Sequence, residues 1–383
     1  MRAMASPADE RPCPDPPGVL AATYTFQWCE FKLRLPLVSA LAVAVCLFIG
    51  IFVGHPAAGL IAGGGAFTVG FGSNQRISDS RLIPMFAGIL ATSTAAFAGT
   101  VVGHRDYWLL LAAAGSAAIY GVLSTRNAGV AWVGQQAFVF MIVASAFPSE
   151  LKGGLQRGAL VAAGGLIQLL FTSAALRLIP DLHKDFVTLA SSVLNSVYEE
   201  DWAIAQRLRN LPSFVPALSR HEAFGYSLRL ILTSLAATEV YRRWGVQSGY
   251  WIPMTALLVQ RPAALDTAAR VTSRIVGTIA GAWLGSLFIA HVAPRPEILA
   301  AITSVFALLA FATNAVNYAL FTATLTGYIV FLLSLNVIPG SVIAHRRMAC
   351  TALGGLIAVV FHADALLRLR RSPSQQEAEE RAA

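Results

Sequence analysis

The sequence predicts an all-α polytopic membrane protein of about twelve transmembrane segments, arranged as two parallel six-segment repeats. Low charge, long apolar runs and motifs shared between the two halves lead to this prediction. Of the 383 residues, 56% are hydrophobic and only 13% charged, whereas a soluble domain carries about 25% charged residues. The apolar runs are continuous rather than alternating, which favours helices over a barrel.

The apolar runs divide the chain into five parts. Residues 1–30 are polar and proline-rich and predict a disordered cytoplasmic arm, while 369–383 predict a charged cytoplasmic tail. Residues 31–180 form the first transmembrane block, 181–220 a cytoplasmic helical linker and 221–368 the second block. The predicted segments are 33–53, 57–73, 82–102, 107–124, 129–147 and 155–176, then 223–241, 249–260, 271–291, 298–313, 316–336 and 344–367.

An internal repeat is indicated by an ungapped alignment of residues 155–171 with residues 345–361. The shared positions are Arg157 with Arg347, Gly164 with Gly354, Gly165 with Gly355 and Phe171 with Phe361. An even number of segments in each half gives both halves the same orientation, so the repeat is parallel, with its axis along the membrane normal. The glycines, including those at 277, 281 and 285, favour close helix packing.

The basic residues predict the orientation of the chain. Twelve segments place both termini on the same side of the membrane. Most of the 28 Lys and Arg residues fall on that side. Positive charge collects on the cytoplasmic side of membrane proteins. We therefore expect a multi-pass membrane protein with cytoplasmic N- and C-termini, and the net charge of +8 needs no nucleic-acid partner.

The stretch 249–285 contains a broken segment. Its apolar run, 250–259, is half the roughly 20 residues that a spanning helix needs, and Pro253 lies inside it. Transporters tend to place their binding sites at such segments. Segment 57–73 holds the equivalent place in the first half. We expect the two short segments to face each other near the repeat axis and to enclose a cavity.

Basic residues follow the short segment and are candidates for substrate binding. Arg270 and Arg274 lie one helical turn apart and share a face. A pair of guanidinium groups binds a carboxylate in a planar, bidentate manner. The alternative is membrane anchoring, with a salt bridge from Asp266 to Arg270. Arg261 belongs to the same basic turn, and Arg81 takes the corresponding position in the first half.

The aromatic and hydroxyl groups of the short segment have two interpretations each. Tyr250 and Trp251 either anchor the helix end at the membrane interface or form a stacking platform for a planar ligand. Thr255 either donates to a substrate carboxylate from the cavity wall or bonds to its own helix. Glu239 and Asp266 are the candidates for proton coupling, although Arg242 and Arg243 offer Glu239 a local ion pair.

A family resemblance covers the second half closely. The residues that carry it are Gly249-Tyr250-Trp251, Met254-Thr255, Arg261-Pro262, Asp266-Thr267, Arg270, Arg274 and Gly277-Thr278-x-x-Gly281. This pattern resembles the fusaric-acid-resistance (aromatic-acid exporter) family in its compact, two-block type. The resemblance implies an inner-membrane protein with two six-helix blocks, and some members export aromatic carboxylic acids. Plant aluminium-activated malate channels are distant relatives.

These observations predict an inner-membrane transporter that exports aromatic or other organic carboxylic acids, driven by a proton gradient or the membrane potential. The alternatives are a passive organic-anion channel and a non-transporting membrane scaffold. No nucleotide-binding loop, nucleophile triad or metal-ligand spacing is visible, so no enzymatic activity, cofactor or metal is predicted. The expected partners are the organic anion and the lipid bilayer, with a periplasmic adaptor protein and a homo-oligomer left open.

Overall fold

A computed structural model describes residues 25–28, 31, 33–77, 80–103, 106–124, 126–178, 221–245, 248–291, 295–335 and 340–363. The predicted linker, the predicted tail and most of the predicted N-terminal arm lie outside these described residues. Within them the protein is all-helical, as the sequence predicts, with twelve helices and no strand.

The twelve helices follow the predicted segments in order. They are α1 (Arg34–Phe52), α2 (Pro56–Gly72), α3 (Leu82–Val102), α4 (Tyr107–Ser124), α5 (Ala128–Ser145), α6 (Leu151–Leu178), α7 (His221–Trp244), α8 (Trp251–Val259), α9 (Ala264–His291), α10 (Pro296–Thr313), α11 (Tyr318–Ser334) and α12 (Gly340–Val360). The two largest differences are at the start of α9, which begins at Ala264 rather than at residue 271, and at the end of α12, which ends at Val360 rather than at residue 367. Asp266 lies in the first turn of α9, where a carboxylate complements the helix dipole.

Eight of the helices in the described part of the chain are long and apolar enough to cross a membrane: α1, α3, α4, α5, α6, α9, α10 and α12. Helices α2 and α11 are apolar but have 17 residues each, and α8 has only 9. Large apolar side chains such as Leu111, Leu170 and Trp283 are exposed on the outside of the bundle. The protein is a multi-pass membrane protein.

The helices pack in the same pairs within each block. In the first block α1 packs on α2, α2 and α3 pack on α6, and α3 and α4 pack on α5. In the second block α7 packs on α8, α8 and α9 pack on α12, and α9 and α10 pack on α11. The two blocks contact each other reciprocally, because α4 packs on α7 while α1 packs on α10.

Glycine allows the closest of these helix approaches. A Cβ atom built on Gly354 would lie 2.5 Å from the carbonyl oxygen of Ile252 in α8, so α12 and α8 pack backbone to backbone. Gly164 of α6 makes the corresponding approach to the carbonyl of Ala62 in α2. Small residues permit this distance between membrane helices, and both short segments are held in this way.

Asparagine caps the fifth helix of each block. Asn127 has an extended backbone and accepts a hydrogen bond from the N–H of Gly129 at the start of α5. Asn317, also extended, accepts from the N–H groups of Ala319 and Leu320 at the start of α11. These bonds satisfy helix N-terminal donors that otherwise lack a partner, and they fix where α5 and α11 begin.

Candidate functional site

A cavity of about 1070 Å³ lies between the two blocks. The short helices α2 and α8 both line it, together with α5 of the first block and α11 of the second. Helices α2 and α8 are each the second helix of their block. The cavity is therefore lined by the shortened segment of each block.

The cavity wall is aromatic and positively charged. Its ionisable residues, among those the structure describes, are tyrosines and four arginines, Arg157, Arg261, Arg270 and Arg274, with no aspartate or glutamate. The aromatic residues of the wall are Phe67, Phe71, Tyr120, Trp132, Phe140, Phe147, Tyr226, Tyr250, Trp251, Tyr318, Phe321 and Tyr328. This composition combines cations with flat apolar surfaces.

Helix α8 separates the two ends of the cavity. It has 9 residues and is therefore roughly 13 Å long. At one end, here the Trp251 end, the ring of Tyr250 lies 6.5 Å from that of Phe147. At the other, here the Arg261 end, the N–H of Arg261 donates to the hydroxyl of Thr267 at 2.9 Å. The extended backbone of Gln260 terminates α8 and leads into this turn.

Three side chains form a compact group at the Arg261 end. The guanidinium carbon of Arg270 lies 3.9 Å from the ring centroid of Tyr318. Nη1 of Arg274 donates to the hydroxyl of the same tyrosine at 2.9 Å. Arg274 is only 2% exposed, and the Nε atoms of both arginines have no hydrogen-bond partner among the described residues. Tyr318 therefore orients two cations toward the cavity.

Arginine also marks the Trp251 end, once in each block. Arg157 lines the cavity and stacks on Phe147, with 4.8 Å between the guanidinium carbon and the ring centroid. Arg347 lies behind the wall, 4.1 Å from the ring centroid of Trp251. It is 1% exposed, and its Nε donates to the hydroxyl of Thr326 at 3.2 Å.

The structure brings five of the predicted site residues to the cavity wall, and they are Tyr250, Trp251, Arg261, Arg270 and Arg274. It places two elsewhere. Thr255 is 1% exposed and packs against Gly354 of α12 rather than facing the cavity. Arg81 precedes α3 as its N-terminal flanking residue and is outside the cavity wall.

The two candidates for proton coupling lie away from the cavity wall. Glu239 accepts two hydrogen bonds of 2.8 Å from Arg242 and another from Arg243, so the local ion pairs considered in the sequence analysis are present. Arg242 also stacks on the ring of Tyr107 in α4 at 4.3 Å, which joins the two blocks. Asp266 is exposed and forms no ion pair with Arg270.

Sequence reasoning missed Arg157, Tyr318 and Arg347. The alignment of the two arginines with each other in the internal repeat was a signal that both belong to an equivalent position. Tyr318 offered no such signal, because its role depends on α11 packing against α9. Within the described residues, no group of His, Cys, Asp and Glu side chains is arranged to hold a metal ion.

Comparisons with known proteins support the resemblance in the second block. Residues 234–361, one third of the chain, match the family model described as "Fusaric acid resistance protein-like". This match confirms the resemblance found in the second half of the sequence. All five predicted cavity residues named above lie within the matched range. An "Uncharacterized protein ORF2" of Neisseria gonorrhoeae is 33% identical over 90 residues, which are 24% of this chain and 20% of that protein. No solved structure matches the chain.

Proposed function

We propose that this protein is a membrane transporter for organic anions, and that aromatic carboxylates are its principal substrates. One observation carries the proposal: the cavity between the blocks has four arginines and no carboxylate among its described lining residues, within a wall of aromatic rings. The match of the second block to the fusaric acid resistance protein-like family supports the same function.

The arginines favour an anionic ligand. A buried cation without a counter-ion is strongly disfavoured in a low-dielectric interior, and ionisable groups inside membrane segments are functional candidates by default. Arg270 and Arg274 have Nε atoms without partners among the described residues, and their hydrogen-bonding and stacking partner Tyr318 is a phenol rather than a carboxylate. A carboxylate would supply the missing acceptors and the missing charge.

The aromatic wall and the volume favour a planar substrate. Pockets of roughly 300–1,000 Å³ hold drug-sized ligands, and the cavity of about 1070 Å³ is slightly larger than that range. Aromatic rings prefer offset or edge contacts with other rings. A benzoate-like molecule can place its carboxylate on the arginines and its ring against Phe321 or Tyr328, both of which line the cavity.

We infer that the two blocks are parallel repeats and that substrate reaches the cavity by their relative movement. The corresponding helix pairs within each block, the reciprocal α4–α7 and α1–α10 contacts and the equivalent caps Asn127 and Asn317 support a twofold relationship. All twelve helices then enter the bilayer, with α8 as the broken segment. Binding at the interface between repeats is common in transporters that alternate access.

The direction we propose is export from the cytoplasm. Because positive charge collects on the cytoplasmic side, the distribution of basic residues supports cytoplasmic termini, and with them a cytoplasmic Arg261 end, in a bacterial inner membrane. A positive cluster there concentrates anions before they bind. A membrane potential that is negative inside drives an anion outward, with about 2.3 kcal/mol per charge for each 100 mV, and a proton gradient is the alternative source of energy.

Reconstitution of the purified full-length chain in liposomes tests this function. We expect uptake of radiolabelled benzoate that saturates with concentration and follows an imposed potential, and that is absent from protein-free liposomes. Planar-bilayer recordings separate the carrier from the passive channel, because a channel would give unitary ohmic currents in benzoate. Benzoate flux no greater than in protein-free liposomes would contradict the proposal.

A further inference from the structure

We propose that Arg347 forms a second carboxylate-binding site at the Trp251 end of the cavity, and that Trp251 covers it. The choice of carboxylate as ligand rests on the proposed transport function, whereas the site itself rests on the surroundings of Arg347. It is distinct from the group formed by Arg270, Arg274 and Tyr318 at the Arg261 end.

Arg347 is a fully buried cation with unused donors. It is 1% exposed, and neither Nη1 nor Nη2 has a hydrogen-bond partner among the described residues. Its Nε is held by Thr326, which fixes the guanidinium plane while leaving the two terminal nitrogens available. Two parallel N–H groups of this kind match the two oxygens of a carboxylate.

Trp251 separates this cation from the cavity. Its ring lies 4.1 Å from the guanidinium carbon of Arg347 on one side, and Trp251 itself lines the cavity on the other. The cation–π contact partly offsets the missing anion. Rotation of the indole away from Arg347 would expose the terminal nitrogens to a ligand, and the cavity provides space for the displaced ring.

A row of aromatic rings connects the arginines of the two blocks. Phe147 lies 6.5 Å from Tyr250, and Tyr250 lies 4.9 Å from Trp251, measured between ring centroids. Arg157 stacks on the Phe147 end of the row and Arg347 on the Trp251 end. The two arginines align in the sequence repeat, yet only Arg157 lines the cavity.

The two equivalent arginines differ in their access to the cavity. The guanidinium of Arg157 is open to the cavity, whereas that of Arg347 is covered by the ring of Trp251. The carboxylate would therefore bind first at Arg270 and Arg274, then at Arg347 after Trp251 moves. The two sites lie at opposite ends of α8, a helix roughly 13 Å long.

Binding of radiolabelled benzoate to the purified full-length protein in detergent tests the second site. We expect the wild-type protein to bind two benzoates, and Arg347→Gln to lose one of them, with affinity at that site weakened by about tenfold or more. Arg346→Gln is the matched control, because it removes a neighbouring positive charge that is outside the cavity wall, and it should still bind two.

A second variant keeps the test valid if Arg347→Gln does not fold. Trp251→Ala leaves Arg347 in place and removes its cover, so benzoate should bind the second site more tightly than in the wild type. One benzoate bound by the wild type, or no change of the second site in Trp251→Ala, would overturn the proposal. Arg274→Gln should remove the other benzoate, and its failure to do so would count against the proposed function instead.

Discussion

Arg274 donates a hydrogen bond of 2.9 Å to the hydroxyl of Tyr318, and this contact joins α9 to α11 at the Arg261 end of the cavity. The same tyrosine presents its ring to Arg270. Two cations that would repel each other are thus held by one tyrosine side chain. Arg270 and Arg274 lie one helical turn apart on the same face of α9. Tyr318 of α11 contacts both side chains and holds them at the cavity wall.

Tyr318→Phe should destabilise the protein and weaken substrate binding. The substitution keeps the ring beneath Arg270 but leaves Nη1 of Arg274, a 2% exposed residue, without its partner. An unsatisfied buried donor costs about 1–3 kcal/mol. We expect a lower unfolding temperature in detergent and a higher benzoate concentration for half-maximal uptake.

Tyr328→Phe is the matched control for that experiment. Tyr328 also lines the cavity, but its buried hydroxyl has no hydrogen-bond partner among the described residues. Removing it should leave stability unchanged or slightly improved. Equal losses of stability in the two variants would show that the hydroxyl of Tyr318 has no special role.

Gly354→Ala should separate α12 from α8. The new Cβ would lie 2.5 Å from the carbonyl oxygen of Ile252 and 3.0 Å from the Cβ of Thr255, so one backbone must move. Overpacking of this kind costs about 1–3 kcal/mol, which thermal unfolding measures. Gly115→Ala in α4 has no atom within 4 Å of the new Cβ and should not lower stability; a comparable loss there would refute the packing argument.

Asn317→Ala should weaken the start of α11. The amide oxygen caps two backbone N–H groups, at 2.8 and 3.1 Å, and loss of such a cap costs about 1 kcal/mol. Asn127→Ala removes a cap with one bond to the equivalent helix of the other block and should cost less. Asn317→Ser, which retains an acceptor, should recover part of the stability. No recovery in Asn317→Ser would assign the loss to another contact.

Glu239→Gln should leave transport nearly unchanged. Glu239 accepts hydrogen bonds from Arg242 and Arg243 on the surface of α7, outside the cavity wall. Partly exposed ion pairs contribute little to stability, so the variant should fold normally. Because the side chain is outside the cavity wall, we expect benzoate flux within about twofold of wild type. Loss of proton-dependent flux in Glu239→Gln, with stability retained, would contradict this expectation and identify Glu239 as the coupling residue.

The helices could be predicted from the sequence because apolar run length determines where the chain can cross lipid. Each of the twelve predicted segments contains a helix within the described residues. The start of α9 was predicted seven residues late, since its first turns carry Asp266, Arg270 and Arg274 and look like a basic loop. In the structure these arginines lie inside α9. Their side chains line the cavity and contact Tyr318, which partly offsets the cost of burying their charges.

The candidate site could be predicted only in part. Arg270, Arg274 and Trp251 lie close together in sequence on or beside the broken segment, so their pattern is visible. Thr255 is on the same short helix but faces α12, because a nine-residue helix buried on several sides gives no apolar stripe to indicate its orientation. The sequence pattern did not indicate a binding role for Arg347, and only tertiary packing behind Trp251 shows that it is buried.

The most direct measurement of the central claim is benzoate uptake by proteoliposomes that contain Arg274→Gln. Uptake should fall by about tenfold or more, since a charge-assisted contact to the substrate is lost. Arg295→Gln, which changes an exposed arginine before α10, should transport at the wild-type rate. Wild-type uptake by a correctly folded Arg274→Gln protein would contradict the account.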